Sequence, residues 1–253
     1  VLLGLIFRAV AIEYRGKGHG DRWRRGWDLA LGVGSFVAAF GIGAALALTT
    51  TGLPIDGNGD RVGGPFVWLT PAAVLGGLAA VGFCLVHAAT FLALKTDGPV
   101  RERARRDIVR MAPVALLPMV GWVLLVQLQS GGWVSWGLVV LAAACAVAGW
   151  FAARRGREGH AFLGFATFLA AGAASIFVAV YPVVLPSTVD ATFDLTVSNA
   201  SSSDYTLGVM TVVAAVGLPV VLLYQAWSYW VFRRRLSVEH IPEPHPVVPA
   251  VRP

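Results

Sequence analysis

Long apolar runs alternate with short polar stretches along the whole chain. The runs cover residues 1–12, 27–51, 66–94, 108–129, 133–153, 161–185 and 207–232. All but the first reach or approach the roughly 20 residues that a helix needs to cross a bilayer. The pattern predicts an all-α, polytopic transmembrane helix bundle with one partial and six full spans.

The polar stretches carry charge in strict alternation. Arg15, Lys17, Arg22, Arg24 and Arg25 follow the first run, whereas the next loop holds Asp56, Asp60 and a single Arg61. Lys95, Arg101, Arg103, Arg105 and Arg106 come next, then an uncharged turn at 130–132, then Arg154, Arg155 and Arg157. The loop 186–206 holds Asp190, Asp194 and Asp204 without Lys or Arg, and Arg233, Arg234 and Arg235 follow the last run. By the positive-inside rule the basic loops and the C terminus are cytoplasmic, and the first run enters from outside.

Composition agrees. The 253 residues are 57% hydrophobic and 13% charged, with a mean hydropathy of +0.69. Soluble domains carry about 25% charge. The net charge of +6 sits in short inter-helix loops and does not point to nucleic acid. The chain starts at Val1 within an apolar stretch too short to span. A start partway through a membrane helix, with an N-terminal part missing, is therefore expected. A helical domain over 1–236 is followed by a Pro-rich cytoplasmic tail, 237–253, expected to be disordered.

Cys84 and Cys145 lie in different apolar runs and are expected as buried structural thiols. Trp27, Trp68, Trp133, Trp136, Trp150, Tyr181, Tyr205, Trp227 and Trp230 lie near run ends, as interfacial aromatics do. Gly32, Gly34, Gly41 and Gly43 in one run and Gly76, Gly77 and Gly82 in another favour close helix packing. Pro118 and Pro219 are expected to kink their helices.

Four polar residues are candidates for function. Arg8 lies within the first apolar run, where a charge costs from roughly 2.5 to above 10 kcal/mol. It either snorkels to the cytoplasmic surface or faces a partner, a cofactor or a proton path. Glu13 follows five positions on, roughly 140° round the axis, so the two need not touch. His87 is a haem-ligand or proton-relay candidate, set against a neutral histidine bonded between helices. A haem needs an axial ligand, and no second histidine lies within an apolar run to pair with His87. Gln225 needs partners in lipid, either another helix or a quinone or lipid headgroup. No metal site is indicated.

Five blocks carry a family resemblance: FRAVAIEYR, DRWRRGWDLALGVGSF, HAATFLALKTDG, YPVVLPSTVDATFDLTVSNASSSDYTLGVMT and LLYQAWSYWVF. In this order the chain resembles subunit II of the bacterial cytochrome bd-type quinol oxidases. Its Ala-, Val-, Gly- and Arg-rich style suits an actinobacterium. The resemblance implies an eight-helix subunit built as two four-helix bundles, here lacking the first helix and most of the second. It implies a heterodimer with a haem-bearing subunit I, which would ligate haem b and haem d, and a small accessory subunit. Menaquinol or ubiquinol would be the substrate and membrane lipid the surroundings, in a bacterial plasma membrane. Arg8, Glu13 and Arg15 match the family's R-x-V-x-x-E-[FY]-R pattern. On that match Arg8 is expected to lie on a proton path or face a haem, with Glu13 as a nearby proton carrier. The competing readings are a membrane transporter, disfavoured by the almost purely apolar mid-membrane positions, and a purely structural scaffold.

Overall fold

The computed structural model describes residues 1–18 and 20–237. The Pro-rich tail expected over 237–253 therefore lies, beyond its first residue, outside the described residues.

Helix α1 (Leu2–Tyr14) leads into α2 (Asp21–Thr51) and α3 (Pro71–Lys95). A bent pair, α4 (Gly98–Ala115) and α5 (Leu117–Ser130), makes one crossing. It is followed by α6 (Trp133–Arg154) and α7 (Glu158–Val180). The connection to the last long helix carries β1 (Val183–Leu185), a 3₁₀ turn at Ala191–Phe193, β2 (Leu195–Thr196) and the short α8 (Val197–Ala200). The last helix is α9 (Asp204–Val231). Six helical stretches among the described residues are long and apolar enough to cross a membrane. This is the all-α bundle expected from the apolar runs.

The helix limits differ from the runs for local reasons. Helix α2 begins at Asp21, so Arg22, Arg24 and Arg25 sit in its first turns instead of in a loop. Asp21 in that first turn favours the start. Helix α3 begins at Pro71, where Thr70 caps it by accepting from the Ala73 amide at 3.1 Å. The kink expected at Pro118 is a break at Leu116, between α4 and α5. Helix α7 stops at Val180, short of the expected 185, and residues 183–185 pair instead with 195–196. Pro182 has no amide hydrogen to carry the helix further.

Small residues set the packing. A Cβ on Gly34 would lie 2.6 Å from the Gly4 carbonyl oxygen, and one on Gly164 2.7 Å from the Cα of Gly149. These contacts bring α1 onto α2 and α6 onto α7 at backbone distance, as close membrane packing requires. Gly43 and Gly76 do the same for α2 and α3. The main core joins α3 through α7 and includes Phe83, Val86, Ile108, Trp122, Val126 and Phe165.

The two ends of the bundle have different chemistry. At one end the acidic loops are knitted together. Leu53 pairs with Ser187, the Ser187 hydroxyl donates to the Ile55 carbonyl at 2.7 Å, and Asp194 accepts from the Ser187 amide at 2.7 Å. At the other end the basic segments meet. Leu236 exchanges backbone hydrogen bonds with Lys95 and Asp97, and Lys95 Nζ donates to the Phe232 carbonyl. The loop sets grouped by charge in the sequence are thus grouped in space.

Candidate functional site

Arg8 sits on the face of α1 that meets α2. Its backbone nitrogen would lie 3.2 Å from a Cβ on Gly34, so the glycine lets the Arg8 turn dock directly on α2. Among the described residues no carboxylate or other acceptor takes a hydrogen bond from its guanidinium. Cys84, on α3, is exposed and not buried as expected, while Cys145 is half-buried. Arg8 lies about 9 Å along the helix from Tyr14, by the rise per residue.

Glu13 does not join Arg8. It pairs with Lys17 at 2.6 Å in an exposed i,i+4 contact. Arg15 grips Asp28 of α2 through two guanidinium nitrogens. The Trp23 indole donates to the Tyr14 carbonyl at 3.0 Å, and Trp27 meets Trp23 edge-on and Tyr14 at a tilt. The region read as a basic loop is thus a clasp that fixes the end of α1 to the start of α2 and sets the height of Arg8.

His87 is stacked on Phe83, with ring centroids 5.1 Å apart, and lies 4.6 Å from the Phe162 ring. Its Nδ1 is buried without a hydrogen-bond partner among the described residues. Both neighbours are phenyl rings close to the imidazole, and the other histidine on a membrane-crossing helix, His160, lies in the first turn of α7 and does not contact it. These residues do not fit a haem. Met119, on the next crossing, belongs to the hydrophobic core. Among the described residues no group of three or more His, Cys, Asp or Glu could hold a metal.

Gln225 is exposed on α9, and no described residue hydrogen-bonds its amide. None of the residues of α9 is buried. The helix is tied to the bundle at its ends, through the Lys95–Leu236 pairing and through the Val197 amide on the Pro182 carbonyl. A 28-residue apolar helix left bare along its length is a surface for further helices.

Two polar clusters escaped the sequence reading. Glu158, 4% exposed, opens α7 at the basic end. It accepts from Arg101 Nε at 2.9 Å and lies 3.6 Å from Arg235 Nη2. It thereby joins α4, α7 and the segment after α9. The second cluster is nearer the acidic end. Ser135 donates to Gln127 Oε1 at 2.7 Å, and Gln127 Nε2 donates to the Ser175 carbonyl at 3.2 Å. All three residues are buried, and their groups are satisfied internally, as lipid demands. A lone Glu beside Arg157 and a lone Gln near a run end gave no periodic signal. Glu158 and Arg101 are 57 residues apart, and Gln127 and Ser175 are 48 apart.

A family described as cytochrome bd terminal oxidase subunit II matches residues 1–232. The chain is 32% identical over 242 residues to the cytochrome bd ubiquinol oxidase subunit 2 of Bacillus subtilis (strain 168), covering 94% of this chain and 72% of that protein. It is 30% identical over 281 residues to the cytochrome bd-I ubiquinol oxidase subunit 2 of Escherichia coli (strain K12), covering 95% of this chain and 74% of that protein. With six helical stretches able to span a bilayer, the molecule is a multi-pass membrane protein. The chain belongs to the cytochrome bd terminal oxidase subunit II family.

Proposed function

We propose that this chain is the subunit of a cytochrome bd-type terminal quinol oxidase that ligates no haem. The observation that carries the reading is the bare length of α9, with Gln225 unpartnered on it among the described residues. A polar amide and an unpaired Arg8 at membrane depth need a protein surface against them. Subunit I supplies that surface. Haem b and haem d belong to subunit I. The quinol, menaquinol or ubiquinol, is oxidised near the outer face. Dioxygen is reduced to water with protons drawn from the cytoplasm, so turnover builds a proton-motive force. A small accessory subunit and membrane lipid complete the assembly. The basic end, with the C terminus, faces the cytoplasm of a bacterial plasma membrane.

In this reading Arg8 is a proton-path or haem-facing residue. Its turn of α1 is held against α2 by the Gly4–Gly34 contact and the Arg15–Asp28 pair. Glu13, at the helix end with Lys17, is the proton carrier at the mouth of the same route. Gln225 and His87 are secondary positions for a quinone or lipid headgroup and for a relay. The test is Arg8→Gln in the assembled complex, with haem content and quinol-dependent oxygen uptake measured together. Turnover is expected to fall at least about tenfold with haem retained. Unchanged turnover would remove Arg8 from the proton route.

A further inference from the structure

The α4–α6 side of the bundle carries two abutting cavities of opposite character. The first, about 210 Å³, is lined by Arg105, Arg106, Val109, Arg110 and Arg154. The second, about 300 Å³, is almost wholly apolar and includes Pro113, Leu117, Val120, Val147 and Trp150 in its lining. They meet at one joint. Trp150 lines the apolar cavity and donates its indole N–H to the carbonyl of Val109, which lines the basic one. The Arg154 guanidinium lies over the same indole, 4.7 Å from its centroid. Arg110 and Pro113 are about one helical turn apart. The helices run in opposite directions, so both cavities order themselves along the membrane normal, with charge at the basic end and the apolar groove deeper in.

The four arginines are exposed, and none has an ion-pair partner among the described residues. Glu102 borders an adjoining cavity with Arg105 and Arg106. The balance is four guanidinium groups against one carboxylate. An ordinary positive-inside anchor needs no groove beneath it. The apolar groove between α1 and α2, about 470 Å³ and lined by Phe7, Leu29 and Val33, has no arginine in its lining. Charge and groove coincide on the α4–α6 side.

We propose that this pair of cavities binds an anionic phospholipid from the leaflet at the basic end. The phosphate takes hydrogen bonds from Arg105, Arg106, Arg110 and Arg154, and an acyl chain lies along Pro113, Leu117, Val147 and Trp150. Arginine suits the role because its planar fork meets phosphate oxygens two at a time. Basic pockets between membrane helices select acidic headgroups in this way. A zwitterionic headgroup would bring a second cation to four arginines and is disfavoured.

The test uses the purified assembly in detergent after delipidation, titrated with phosphatidylglycerol, phosphatidylcholine or inorganic phosphate, with bound lipid counted by native mass spectrometry. Phosphatidylglycerol is expected to bind at least about tenfold more tightly than phosphatidylcholine. The double variant Arg110→Gln/Arg154→Gln is expected to lose that preference, while Arg103→Gln/Arg155→Gln keeps it. Leu117→Trp, which fills the groove and leaves the arginines, is expected to weaken phosphatidylglycerol binding and serves as the reading if the double variant fails to assemble. Equal binding of the two lipids would overturn the proposal. So would equal loss in the control pair, undiminished binding by Leu117→Trp, or displacement of the lipid by millimolar phosphate, which would mark a plain anion site.

Discussion

Trp150 donates its indole N–H to the carbonyl oxygen of Val109 across 3.0 Å. In an unbroken α-helix that oxygen would accept from residue 113, but residue 113 is a proline without an amide hydrogen. A helix on one crossing therefore satisfies the vacancy that a proline opens on its neighbour. Removing the donor with Trp150→Phe leaves a carbonyl unpaired and is expected to cost about 1–3 kcal/mol. Pro113→Ala restores an amide at that position, and in its background the same change should cost under about 1 kcal/mol. Thermal unfolding of the four proteins in detergent gives the cycle, and equal costs in both backgrounds would contradict the pairing.

Glu158 holds Arg101 and Arg235 at the basic end. Glu158→Ala strips a buried carboxylate from two half-exposed arginines and should cost about 1–3 kcal/mol, below the range for a fully buried pair. The loss should be local, because Arg235 belongs to the strap that ties α9 to the α3–α4 turn. Amide hydrogen exchange at Leu236 and Asp97 is expected to speed up at least tenfold, with exchange in α5 unchanged.

A Cβ on Gly34 meets the Gly4 carbonyl at 2.6 Å, and backbone cannot swing aside as a long side chain would. Gly34→Val is expected to push α1 off α2, at a cost of about 1–3 kcal/mol. Gly32→Ala, on the same helix where nothing lies within 4 Å, is expected to be nearly neutral. Melting temperatures of the pair of variants check this. If Arg8 works at a fixed height, oxygen uptake falls with the first variant only.

Much of this was legible in the residues, and the rest was hidden for identifiable reasons. Apolar run length and loop charge locate the crossings, because a bilayer imposes both directly. They misplace the start of α2, since Arg22, Arg24 and Arg25 read as loop although an interfacial helix carries exposed arginines readily. Trp150 reads as an interfacial aromatic, and Pro113 is passed over beside Pro118. Their hydrogen-bond relation appears only when α4 and α6 lie side by side. Glu158 gives no hint of burial because Arg101 is 57 residues away. Arg8 is the converse case, its cost in lipid being evident from the sequence alone. No described residue hydrogen-bonds its guanidinium, and its proposed role is tested in the assembled complex.

On the acidic side, the Thr192 backbone amide and then its hydroxyl hold Asp190 below the ordinary carboxylate range. A lowered folded-state pKa gives stability that is present above the unfolded value and lost as pH falls through the folded one. Protection of the Thr192 amide from exchange should therefore decline below about pH 4. Asp190→Asn should flatten that profile while leaving the Ser187–Asp194 contact intact.

The most direct measurement is purification of the tagged chain from its native membrane in mild detergent, with haem content and quinol-dependent oxygen consumption read on the same sample. The account predicts a coloured complex with a larger haem-bearing subunit that consumes oxygen when given quinol. A colourless chain that purifies alone, with α9 still bare and no quinol-dependent oxygen uptake, would contradict it.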